Sequence, residues 1–305
     1  MYSKSLFIVL FLLFFINIIN GTCNILSLSG GGSFGAIEIG ILKNIHKNWN
    51  IVNYDLITGV SVGGLNAAFL SFNKDIKDSI IKLENIYENL KNDDIYKLNY
   101  HFNIFNINDI SLYDTAPLKK TITNILKEYE KSYVEVIIGS TNLNSGAFEM
   151  FRLSEYSKID IIDLLMTTSA IPFAFPPRTF NNSLYVDGGL ISNSIINGID
   201  SLINCNYYNI TYLSAHNEIG IDNNIKNIFH YTKRVMELFY NDFDDQIVEI
   251  RNLACNKKNN IFLNITYCYP NYVGLSNYSI LDFTNGKKLI EIGNNNNICE
   301  NINLC

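Results

Sequence analysis

Basic side chains are in deficit in this chain. Lys and Arg number 23 against 29 Asp and Glu, a net charge of −6 with a pI near 5.3. That balance gives no electrostatic footprint for nucleic acid. It also argues against charge-driven recruitment to anionic lipid, so any contact with a membrane surface must be apolar. Histidine is scarce too, with four in 305 residues. No His/Cys/Asp cluster has metal-ligand spacing, so neither a metal nor another cofactor is expected. No internal repeat is present, which excludes repeat architectures. The apolar run Leu6–Ile16 is too short to span a bilayer comfortably. Apolar residues are abundant at 48%, enough for the core of one large domain, with or without an appendage.

The most informative segment is Gly59-Val60-Ser61-Val62-Gly63, a G-x-S-x-G pentapeptide. Val52–Thr58 before it is short and apolar enough for a buried strand. Leu65, Ala68, Phe69 and Phe72 after it recur at helical spacing. A strand turning sharply into a helix at such a sequence is a nucleophile elbow, with Ser61 thrust out at the helix N-terminus.

Thirty residues earlier the same grammar appears in another form. Asn24–Ser29 suits a strand, Gly30-Gly31-Gly32-Ser33-Phe34-Gly35 is a glycine loop, and Ile37, Ile41, Leu42 and Ile45 make a helical stripe. Three consecutive glycines leave bare N–H groups at a helix mouth, which suits negative charge. Gly30, Gly32 and Gly35 also match the dinucleotide fingerprint formally, with Asp55 at about the right distance. In that fold, however, the acidic residue ends its strand. Asp55 precedes Leu56-Ile57-Thr58, and the turn that follows is the serine elbow. No nucleotide partner is therefore expected. If Ser61 attacks an ester, the amides of Gly30, Gly31 and Gly32 are the natural oxyanion hole.

A serine nucleophile needs a base. The chain order Ser61, Asp187, His216 satisfies a classical Ser-Asp-His esterase, but too little chain precedes Ser61 for the strands such an elbow normally follows. Tyr185-Val186-Asp187-Gly188-Gly189 reads as a strand end running into an Asp-Gly-Gly turn. The set GGGSFG, GVSVG and DGG, in this order, resembles the patatin-like phospholipases. Ser61–Ala68 is similar to that family's elbow helix, and Thr168–Pro177 to its Pro-rich approach to the Asp strand.

The resemblance implies a lipid acyl hydrolase with a Ser–Asp dyad and no catalytic histidine. Ser61 would be the nucleophile and Asp187 the base, with an acyl-enzyme intermediate. Gly30, Gly31 and Gly32 would line the oxyanion hole, and Gly35, Gly59, Gly63, Gly188 and Gly189 would be the motif glycines. The expected substrate is phospholipid or a related acyl ester. One departure stands out: the family often has Arg or Lys before the last glycine of the loop, where this chain has Phe34. A catalytically silent lipid-binding module on the same fold stays open at this stage.

Strand and helix patterns alternate from Asn24 to about Asn204, which predicts a three-layer α/β/α fold with a mainly parallel central sheet. Helical segments are expected within Lys74–Leu98 and Ile159–Thr168, and strands at Tyr133–Gly139, Tyr207–Leu213 and Ile261–Tyr267. A long helical pattern runs from Ile225 to Ile250, and a polar tail is expected after the last strand. Asn99–Ile110, with Tyr100, Phe102, Ile104, Phe105 and Ile107, reads either as a lipid-contacting flap or as a loop anchored in the core.

The chain divides into 1–21, 25–204 and 205–305. The first segment reads as a secretory signal peptide ending near Gly21, with an uncleaved anchor as the alternative. The second is the patatin-like catalytic domain, and the third is a C-terminal extension packed on it. A secreted or lumenal location follows from the signal reading. Six cysteines then permit three disulfides in fifteen pairings. Sequons stand at Asn181, Asn209, Asn264 and Asn277.

Overall fold

A computed structural model describes residues 21–48, 53–103, 105, 110–129, 131–196, 199–216, 234 and 262–302. The N-terminal apolar run and the helical pattern from Ile225 to Ile250 lie outside the described residues, as do Ile104 and Ile107.

The chain opens with β1 (Thr22–Leu28), α1 (Gly35–Asn48), β2 (Leu56–Val60), α2 (Val62–Leu70) and α3 (Ile76–Asn89). A short hairpin of β3 (Lys97–Leu98) and β4 (Tyr113–Asp114) leads to α4 (Ala116–Lys127). Next come β5 (Glu135–Asn142), β6 (Ala147–Arg152), α5 (Lys158–Thr168), β7 (Arg178–Phe180) and β8 (Ser183–Asp187). The remainder holds α6 (Ile199–Leu202), β9 (Tyr207–Leu213), β10 (Phe262–Pro270), α7 (Gly286–Asn295) and β11 (Asn297–Ile302).

Among the described residues the strands form one nine-stranded sheet in the order β11-β10-β9-β1-β2-β5-β8-β7, with β6 also on β5. The central strands β10, β9, β1, β2 and β5 are parallel, and antiparallel strands close both ends. Side-chain alternation splits the core between the two faces, as a pleat requires. Leu26, Leu28, Ile57, Val136, Ile138 and Leu213 point to the face packed by the long helices. Ile25, Leu56, Val60, Ile137, Ile210 and Ile265 point to the other, where Ile195, Ile196 and Ile199 cover them. Strands buried on both faces read as near-continuous apolar runs, which is why β2 carries a single polar residue, Thr58.

One detail of register places the site. β5 pairs with β2 through Glu135–Gly139 and with β8 through Ser140–Asn142, while β6 runs along its opposite edge. β8 therefore takes over the edge of β5 that β2 leaves at the elbow. Val60 is opposite Gly139 and Asp187 is opposite the next residue, Ser140. The end of β8 arrives from the opposite direction at the point where β2 turns into α2.

Two expectations need correction. The segment after β10 is not a polar tail: α7 lays Leu289, Ile290 and Ile292 into the core beside α1, and β11 pairs with β10. The apolar stripe is short and is followed at once by the polar run Asn294–Asn297, and only three of ten positions in the helix are large and apolar. The aromatic residues of the 99–110 segment do not anchor in the core where they are described. Tyr100 is 87% exposed and Phe105 92%.

The disulfides Cys23–Cys205 and Cys268–Cys299 join neighbouring parts of the sheet, with Cα atoms 6.1 and 4.1 Å apart. The first ties the start of β1 to the loop before β9, and the second links paired residues of β10 and β11. Cys255 and Cys305 lie outside the described residues.

Candidate active site

Ser61 sits between β2 and α2 with φ +56° and ψ −128°, a left-handed backbone that only glycine adopts freely. Holding a serine there costs on the order of 1–3 kcal/mol, and the surrounding structure must overdetermine the turn. Several contacts do so. The Ser61 N–H donates to Thr168 Oγ1 at 2.9 Å, and Thr168 in turn donates to the Gly139 carbonyl at 2.5 Å. Gly63 lies so close under β1 that a Cβ there would come 2.5 Å from the Leu28 and Ser29 carbonyl oxygens. Glycine at 63 is thus a packing requirement: it lets the elbow seat against the end of β1.

Asp187, fully buried at the end of β8, faces Ser61 directly. The Ser61 hydroxyl donates to Asp187 Oδ2 at 2.5 Å, and the Gly189 N–H donates to Oδ1 at 2.9 Å. Its own N–H is tied to the Ala170 carbonyl at 2.9 Å, so both backbone and side chain are fixed. Burial pushes the Asp187 carboxyl up to about 7, against the opposing pull of Ser61 and Gly189. A base raised toward neutrality is better matched to a hydroxyl than an ordinary aspartate.

The glycine loop lies beside this pair: a Cβ on Gly30 would come 3.0 Å from Ser61 Cβ. Gly32 holds φ +57°, and a Cβ there would strike the Ile280 carbonyl oxygen at 2.2 Å. Gly30 is the loop residue whose N–H is already engaged, by Asn193 Oδ1 at 3.0 Å and the Asn193 carbonyl at 3.3 Å. Among the described residues, the N–H groups of Gly31 and Gly32 have no hydrogen-bond partner. Of the three loop amides expected to line an oxyanion hole, those of Gly31 and Gly32 are thus the ones not already bonded among the described residues. Gly35 opens α1, Gly59 ends β2, and Gly188 and Gly189 form the turn after Asp187.

Phe34 is buried, and its ring lies 5.2 Å from that of His216. His216 stands against Gly31, with Nε2 3.0 Å from where a Gly31 Cβ would be. No histidine stands between Ser61 and Asp187, which touch each other. His46 is buried beside Tyr54, His101 is exposed, and His230 lies outside the described residues.

Sequence reasoning missed Thr168, Asn193 and Glu38 as parts of this site. Thr168 stands in the Pro-rich approach segment, but nothing in its spacing signals a bond to Ser61. Asn193 follows the DGG turn by four residues, an offset that gains meaning only once the segment after β8 is brought to the glycine loop that follows β1. Glu38 is a charged residue on an otherwise apolar helix face, and that break in the pattern was the available signal.

An apolar cavity of about 50 Å³ adjoins the elbow helix, lined by Val62, Leu65, Phe69, Tyr87, Ile122 and Phe283 among others. Among the described residues no group of three His, Cys, Asp or Glu could hold a metal, and no helix is long and apolar enough to cross a membrane.

A mainly parallel sheet with a strained serine at one strand's end, bonded to a buried aspartate, defines a class: α/β proteins with a Ser–Asp pair at a nucleophile elbow. The patatin-like phospholipase family matches residues 26–201, and the chain belongs to that family. A cGAMP-activated phospholipase of Vibrio cholerae is 29% identical over 197 residues, covering 56% of this chain and 54% of that protein. One from Escherichia coli is 29% identical over 192 residues, covering 56% and 52%. A probable lipid hydrolase of Invertebrate iridescent virus 6 is 25% identical over 177 residues, covering 55% and 60%. The chain thus spans little more than half the length of the curated relatives it matches.

Proposed function

We propose that this protein is a lipid acyl hydrolase of the phospholipase A type, working through a Ser61–Asp187 dyad and an acyl-enzyme. The carrying observation is the 2.5 Å hydrogen bond from Ser61 to the buried Asp187 at a strained elbow. Asp187 takes the Ser61 proton as Oγ bonds to the ester carbonyl carbon, and the carbonyl electrons move onto oxygen. The Gly31 and Gly32 amides receive that oxyanion, commonly the largest catalytic term. Collapse expels the alcohol, which takes the proton back from Asp187. Water then repeats the sequence and frees the fatty acid. The N-terminus of α2 adds a favourable field for the developing charge.

The substrate reading draws on the family and on the apolar surroundings. The cavity beside α2 would take the start of an acyl chain, and it must widen to reach the several hundred Å³ usual for ligand pockets. Contact with a membrane surface would be apolar. Tyr100, Phe102, Phe105 and Phe173 are all largely solvent-facing, and the Leu112 N–H to Phe173 carbonyl bond at 3.0 Å joins their two segments. The cGAMP for which relatives from Vibrio cholerae and Escherichia coli are named is not part of this proposal. The disulfides support a secretory-pathway location, with 1–21 removed as a signal peptide and 205–305 as an extension of the catalytic domain.

Hydrolysis of phosphatidylcholine vesicles by wild type and Ser61→Ala, with products identified by mass spectrometry, tests the reading. Free fatty acid and lysolipid from wild type alone, unchanged by added cGAMP, are expected. Equal products from both proteins would overturn it. For the location, N-terminal sequencing from a eukaryotic secretory host should begin near residue 22, and recovery of Met1 would contradict the signal peptide.

A further inference from the structure

The Gly30–Gly31 peptide is held at its carbonyl by two side chains outside the dyad. Asn193, itself buried, forms a two-point pair with Gly30: its Oδ1 accepts the Gly30 N–H at 3.0 Å, and its Nδ2 donates to the Gly30 carbonyl at 3.4 Å. Ser29 Oγ donates to the same carbonyl at 3.2 Å. Behind Ser29 stands Glu38, fully buried on the first turn of α1. Its Oε1 accepts from the Ser29 N–H at 2.8 Å and lies 3.4 Å from Ser29 Oγ. Its Oε2 accepts from Asn66 Nδ2 at 2.9 Å, on the elbow helix, and Asn66 also reaches the Gly35 carbonyl at 3.1 Å. Tyr87 closes the network by donating to Asn66 Oδ1 at 2.8 Å.

A trans peptide is planar, so fixing the Gly30 carbonyl fixes the opposite direction of the Gly31 N–H. Nothing on Gly31 itself can do this, since glycine has no side chain and its N–H has no partner among the described residues. We propose that Asn193, Ser29 and Glu38 are positioning residues that aim the Gly31 N–H at the ester oxyanion. The proposal rests on the acyl-hydrolase reading above.

Ser29 Oγ faces the Glu38 carboxyl and the Gly30 carbonyl at once, at 3.4 and 3.2 Å, so Glu38 holds Ser29 in place through both its N–H and its hydroxyl. Preorganised donors matter in proportion to how little they must move when charge develops, and a buried, mutually bonded network of this kind moves little.

The test uses the full chain, a soluble p-nitrophenyl ester and an alkyl trifluoromethyl ketone, which Ser61 converts to a tetrahedral oxyanion adduct. Asn193→Ala should lower kcat by about a hundredfold, the usual loss for one oxyanion donor, with KM changed less than about twofold. The ketone inhibition constant should rise by a matching factor, because the adduct uses the same donor. Ser29→Ala and Glu38→Gln should move both quantities together by smaller factors. Ser29→Ala removes one hydroxyl and carries the test should Asn193→Ala fail to fold. A fall in kcat with the ketone constant unchanged, a rise confined to KM, or no change in folded variants overturns the proposal. If wild type neither cleaves the ester nor binds the ketone, the hydrolase reading itself has failed.

Discussion

Gly32 and Ser61 have almost the same unusual φ, +57° and +56°, in two strand–turn–helix units whose strands lie side by side. One position holds a glycine and the other a serine. The glycine loop contributes backbone N–H groups, so the cheapest residue for that conformation is the right one, and the side chain at Phe34 is free to depart from the family habit. The elbow contributes a hydroxyl, so it must hold a serine against its preference and brace it through Thr168 and Asp187. On the proposed mechanism, strain is held at Ser61, where a side chain acts, and avoided at Gly32, where the backbone does.

The comparison sharpens most at Ser61. Ser61→Gly should abolish hydrolysis, on the order of 10⁶-fold as for other serine nucleophiles, while stabilising the fold by about 1–3 kcal/mol through relief of strain. Denaturant unfolding beside the activity assay checks both halves. A destabilised Ser61→Gly would mean the hydrogen bonds to Ser61 outweigh the strain.

Gly32→Ala is the mirror experiment. The new Cβ meets the Ile280 carbonyl in a conformation alanine resists. Turnover should fall by about a hundredfold or more as the Gly31 and Gly32 amides shift. A rise in KM alone would make the loop a substrate-binding element.

A smaller effect concerns pH. Glu38 is raised from 4.5 to about 8 and Asp187 from 3.8 to about 7. The folded chain therefore holds protons that the unfolded chain has lost. Stability from these groups is fully present below about pH 4 and falls as pH rises toward 8. Activity should climb over the upper part of the same window, because Asp187 must be ionised to act as base. Melting temperatures between pH 5 and 9 should decline, and Glu38→Gln should flatten the decline above pH 7. An unchanged slope would mean Glu38 is not the group being titrated.

The mildest expectation is at Phe34. Phe34→Leu should cost under about tenfold in turnover, chiefly through packing against His216. A loss comparable to Gly32→Ala would show that this loop works through a side chain after all.

Much of this was legible in the residues. The three motifs carry their own geometry: a triple glycine, a serine between glycines and an Asp-Gly-Gly turn announce where backbone must approach closely. β9, predicted at Tyr207–Leu213, has those bounds. Other features were not legible because they depend on proximity across the sheet. Asn193 meets Gly30 across 163 residues and Thr168 meets Ser61 across 107. No local spacing encodes either. α7 was missed because its apolar stripe, Leu289, Ile290 and Ile292, is too short to show a period before the Asn294–Asn297 run begins.

The central claim is that Asp187 alone serves Ser61 as base, with His216 standing against Gly31 of the glycine loop. Steady-state hydrolysis of a soluble ester by folded Asp187→Asn and His216→Ala tests it most directly. The account predicts an Asp187→Asn variant reduced by about 10⁴-fold or more, as when a triad member is lost. It predicts a His216→Ala variant within about tenfold of wild type, its loss confined to packing beside Phe34. An inactive His216→Ala beside an active Asp187→Asn would contradict the dyad and restore a histidine-dependent mechanism.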